Sequence, residues 1–170
     1  MGIFKRNEPG ALDQVDLGLD RADRVLAVCP DRRTSDRLVI STHRLSIVTP
    51  DGEVRLQKPW HLVDNGSYDN EADVLSVTWV DRAAELALHV GGDRRFLTAF
   101  RERVTASVVI VDTLELGRGR SAKLVIRKDL ARDALLDQVI LGPGVRLAHP
   151  GVRERVERAR RALREQVGLT

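Results

Sequence analysis

The sequence predicts an α+β fold: an antiparallel seven-stranded meander capped by a helix, then a β-hairpin and a C-terminal amphipathic helix. Three observations predict it. From Arg24 to Val90, apolar residues recur at every second position in seven short runs. Every gap between runs is shorter than the crossover that parallel pairing needs, so all pairing is antiparallel. From Leu97 the apolar period lengthens to that of a helix.

Each element follows from its residues. Glu8 to Leu17 reads as a short helix within an N-terminal arm of residues 1–22, with Pro9 in its first turn and Gly18 as its stop. The strands are RVLAVC, RLVIST, RLSIVT, EVRLQ, WHLVDNGSY, DVLSVTWV and ELALHV. Leu38 and Ile40, then Leu45 and Ile47, alternate with outward positions, as in a half-buried sheet. Pro30 to Asp36 forms a polar loop, and Thr49-Pro50-Asp51-Gly52 is hairpin-turn chemistry. Pro59 suits the first residue of a strand rather than its middle. The capping helix covers about LTAFRERVTASVVI, with Phe100, Val104, Ser107, Val108 and Val111 on one stripe, so this unit spans residues 23–111. The tail, 112–170, turns at Gly117-Arg118-Gly119, pairs SAKLVIRK with ALLDQVIL (ALLDQ reads equally as the start of a helix), and ends in a helix whose stripe is Val152, Val156, Ala159, Leu163 and Val167.

Residues 38–49, LVISTHRLSIVT, carry a pattern in which one strand ends in Thr42 and the next opens on Arg44-Leu45. Pro59-Trp60-His61-Leu62-Val63 opens a later strand, and RERVTASVV follows in the helix. On these residues the chain resembles an uncharacterised family of actinobacterial proteins with a bacterial pleckstrin-homology-like (PH-like, GRAM-like) domain, over nearly its whole length. The resemblance implies a seven-stranded barrel whose open mouth the helix plugs, a cytoplasmic habit, and a scaffold for binding rather than chemistry. It brings no ligand, partner or catalytic residue.

Composition bounds the function. The chain is 42% hydrophobic and 31% charged, enough for a packed core. Its one cysteine, Cys29, excludes an internal disulfide and a cysteine zinc cluster. There is no apolar run long enough to span a bilayer and no signal-peptide core, and Arg6 occupies the position where a myristoylation motif takes Ser or Thr. The expected location is cytoplasmic.

The net charge of +3 has one address. Residues 151–170 hold six arginines and three glutamates; subtracted from totals of 28 and 25, they leave 22 basic and 22 acidic residues in 1–150. The body is balanced and the last helix is basic. Arginines outnumber lysines 24 to 4, a bias that weakens arginine abundance as a sign of phosphate recognition.

No phosphate loop, dinucleotide fingerprint, HExxH, GxSxG or CxxC is present, and His43, His61, His89 and His149 lie on separate elements. No catalytic residue, metal site or cofactor is expected. Two basic clusters are candidate anion sites. Arg32, Arg33 and Arg37, with Arg24 just before them, surround the first loop, where lipid-binding PH domains hold head groups; Asp31 and Asp36 oppose them. In the last helix Arg153, Arg160 and Arg164 share one flank of the apolar stripe, giving a basic amphipathic surface for a partner protein, acidic lipid or nucleic acid. Only 4% of residues are aromatic, which argues against single-stranded nucleic acid. Trp60, Tyr68 and Trp79 are the candidate interface aromatics. The expected function is a non-enzymatic protein-interaction or adaptor module, binding a partner protein or a second copy of itself. The alternative is an anion binder contacting a peripheral membrane surface or nucleic acid.

Overall fold

The computed structural model describes residues 16–169. The helix expected over Glu8 to Leu17 lies, but for its last two residues, outside the described residues. The described residues are α+β, with three antiparallel sheets and two helices. β1 (Val25–Pro30), β2 (Arg37–Ser41), β3 (Arg44–Val48) and β4 (Val54–Pro59) form the first sheet in that order. A single 3-10 turn, Trp60–Leu62, leads into the second sheet of β5 (Val63–Asp69), β6 (Val74–Trp79) and β7 (Leu86–His89). The two sheets share one core around Leu38, Ile40, Leu45, Ile47, Trp60, Val77 and Leu88. They are not closed into one barrel. At one corner the Arg32 amide donates to His89 O at 2.9 Å, and at the other the chain runs on from β4 to β5.

The helix α1 (Arg94–Ser107) covers this core with Phe96, Ala99 and Phe100, and Asp93 caps it by accepting the Phe96 amide at 2.9 Å. It starts three residues earlier than the sequence predicts and ends earlier too. Val108 and Val111 leave the expected stripe and enter β8 (Val108–Gly117), where Val111 is 48% exposed. A run of four β-branched residues favours a strand once a partner is present. That partner is β9 (Arg120–Asp129), which also pairs with β10 (Ala134–Leu141). The tail is therefore a three-stranded sheet, not a hairpin.

The last helix, α2 (Val152–Gln166), packs Val152, Val156 and Leu163 against Leu116, Leu124 and Ile126 of this third sheet. The third sheet in turn rests on the start of β5. Arg127, 2% exposed, donates to Ser107 Oγ at 3.1 Å and to Asp64 O at 3.2 Å, and Lys123 pairs with Asp64. Gln138 donates to His61 O at 2.8 Å, and Arg82 to Leu141 O at 2.7 Å.

β2 and β3 also differ from the half-buried expectation. Val39 and Val48, on the outer face, are as buried as the core because Leu17 and Leu19 lie over them. Gln57 holds that segment by donating to Leu17 O at 2.9 Å.

Candidate functional site

The first-loop arginines do not form one site. Asp31 organises the loop: Oδ1 accepts the Arg33 and Thr34 amides at 2.9 and 3.1 Å, and Oδ2 accepts the His89 amide at 2.9 Å. Burial raises its carboxyl pKa, but these bonds outweigh burial and hold it below the usual value. Arg32 donates to Gly91 O at 3.2 Å and lies against Gly91, whose φ of +58° favours glycine and where a Cβ would lie 1.8 Å from Arg32 Nε and displace that side chain. Arg37 turns to Thr49 O at 3.5 Å, Arg33 is exposed, and Arg24 lies at the far end of β1. Asp36 is spent on Arg55 at 2.6 Å.

Two of the three candidate interface aromatics are core. Trp60 is fully buried, donates from Nε1 to Ser41 O at 3.0 Å, and meets Phe100 edge-on at 5.8 Å. Trp79 is 5% exposed, with the Lys58 ammonium 4.5 Å from its ring centroid. Tyr68 is half-buried and donates to Asp73 Oδ1 at 2.7 Å.

The basic helix turns part of its charge onto its own sheet. Arg160 Nε and Arg164 Nη1 lie 2.7 and 3.6 Å from Asp137 of β10, while Arg153 is exposed. The apolar stripe is covered by the third sheet, and the arginine stems line its rim.

What the sequence reading missed lies along α1. β1 and β5 are each the last strand of their sheet, and each flanks α1 across a cleft. The β1 cleft, about 920 Å³, has Ala22, Leu26 and Ala99 as apolar lining, with Arg24, Arg94, Arg95 and Arg103 around it. The β5 cleft, about 430 Å³, runs past Asn65, Gly66, Tyr68, Leu97 and Val104. It is narrow because Phe100 sits on Gly66, where a Cβ would meet its Cε1 at 2.3 Å. Thr98 lines both. A signal was present in the sequence. Arg94 and Arg95 occupy the first turn of α1, where the helix dipole disfavours cations, and Arg95, Ala99 and Arg103 follow at i,i+4 spacing.

Burial, with Asp93 and Asp31 adding to it, pushes the Cys29 thiol up to about 12, so it stays protonated at neutral pH. His43, His61 and His89 each face an aspartate, Asp23 at 3.9 Å, Asp129 at 4.0 Å and Asp31 at 3.7 Å, on separate elements. Among the described residues no group of three or more His, Cys, Asp or Glu is placed to hold a metal, and no helix is long and apolar enough to cross a membrane.

No protein-family model matches the chain, and no curated protein matches it.

Proposed function

We propose that the chain is a non-enzymatic, cytoplasmic protein-interaction module on a PH-like scaffold, taking an extended segment of a partner along a free strand edge beside α1. The observation that carries this reading is the position of α1 between two terminal strands, β1 and β5, with a cleft on each side. An unpaired edge offers a row of backbone donors and acceptors, and a neighbouring groove receives alternate side chains of the added strand. Tyr68, the accessible member of the three candidate aromatics, lines one cleft.

Thr98 supplies the test. It is exposed on α1 and borders both clefts, so Thr98→Trp narrows both without entering the core. A nuclease-treated native pull-down with the wild type should retain a stoichiometric protein, or a second copy of the chain, that T98W loses. Equal retention by both baits, or none by either, contradicts the reading.

A further inference from the structure

We propose that the β1 cleft is specific for an acidic extended peptide segment; this rests on the protein-interaction reading above and names the partner's chemistry. The cleft is the larger of the two, and Glu102 is its one acidic side chain against four arginines. Elsewhere in the described residues some arginines are matched to carboxylates, Arg44 to Asp23, Arg55 to Asp36, Arg132 to Asp129 and Arg160 to Asp137, while others, such as Arg32, Arg37 and Arg82, donate to backbone carbonyls. Around the cleft, Arg24, Arg94, Arg95 and Arg103 have no described carboxylate in ion-pair contact. The side-chain Nε of Arg103 is buried with no hydrogen-bond partner. The positive end of the helix dipole adds to the field of Arg94 and Arg95 instead of offsetting it.

The strand edge decides between a peptide and other anions. The Leu26 carbonyl of β1 points out of the sheet toward α1, where Arg95 Nη2 approaches it at 3.5 Å, the long limit of a hydrogen bond. A guanidinium thus stands where the N–H of an added strand would bind. Val25 and Val28 of the same strand are 41% and 39% exposed, and Leu26 and Ala99 give the cleft apolar contact surface. A peptide alternating acidic and apolar residues satisfies all three features: backbone for the edge, carboxylates for the guanidinium forks, methyl groups for the apolar wall. A phosphate or nucleic-acid backbone satisfies only the charge.

The probe is a fluorescent peptide of alternating glutamate and valine, with its glutamine counterpart, titrated by anisotropy into the full chain. Arg24 and Arg94 are exposed and their side chains have no described partner, so Arg24→Glu with Arg94→Glu leaves the fold intact. Circular dichroism checks that it does. The glutamate peptide should bind, weaken about tenfold or more in the double variant, and weaken again between ~10 and ~150 mM salt. Thr105→Trp, in the β5 cleft alone, should leave this binding unchanged. Equal binding of the glutamine peptide, no change in the double variant, or preference for tripolyphosphate, single-stranded DNA or anionic vesicles overturns the inference. If the peptide fails while T98W still removes a native partner, only the acidic-segment inference falls. If both fail, the interaction reading falls with it.

Discussion

Trp60 shows how far a single side chain here depends on residues distant in the chain. It is the largest side chain fully removed from solvent, its indole N–H satisfies the Ser41 carbonyl, and its ring meets Phe100. Burying a side chain of that size contributes on the order of 3 kcal/mol, a sizeable part of a domain's net stability. Nothing local to Pro59-Trp60-His61 says whether the ring faces in or out, because both faces of a turn are open until the helix arrives. His61, the next residue, is a titration point. Burial lowers its pKa; Asp129 opposes this, and Arg127 and Arg132 reinforce it. Its folded pKa therefore lies below the unfolded value near 6.5, so the unfolded chain takes up the proton first. Stability should fall as pH drops through about 6.5 and level off below the folded pKa. Asp129 also titrates lower when folded, but its contribution is lost only around and below the ordinary carboxylate range. Urea midpoints from pH ~8 to ~5 should show this slope in the wild type and a shallower one in His61→Gln; identical slopes would contradict the assignment.

At the scale of elements, α1 is the piece on which both clefts depend. Its seat is Gly66, and Gly66→Ala places a methyl group inside the Phe100 ring's position. The substitution should cost about 1–3 kcal/mol by overpacking, read as a lowered thermal midpoint, and Phe100→Leu in the same chain should restore part of it. An unchanged midpoint would mean that the helix is not seated there. The elements were legible to very different degrees. Most of the strands and their turns could be read because alternation and turn residues act locally, but Pro59 ends β4 instead of opening a strand, and Trp60–Leu62 is a 3-10 turn before β5. The end of α1 could not: Val108, Val109, Ile110 and Val111 suit either period, and pairing with β9 decides for the strand. The same ambiguity hid the third strand of the tail. The clefts were legible only in the arginines along α1; the strands that flank them bring Arg24 near Arg103 and Gly66 against Phe100, placements that no local spacing encodes.

On the scale of the whole molecule, two apolar cores are joined through a polar seam at Asp64, Arg127, Ser107, Gln138 and His61. The seam uses the first residues of β5, while Asn65, Ser67 and Asp69 remain exposed. The tail therefore braces the frame from one side without covering either cleft beside α1. The charge that stood out in the sequence is partly neutralised there by Asp137, while Arg153, Arg158 and Arg161 stay exposed on α2 and four further arginines line the β1 cleft. Hydrogen–deuterium exchange on the complex retained in the pull-down tests the central claim most directly. New protection over Val25–Pro30 or Val63–Asp69, together with the facing side of α1, is the result expected of a strand added at a free edge. Protection confined to α2, with both edge strands exchanging as in the free chain, would contradict it.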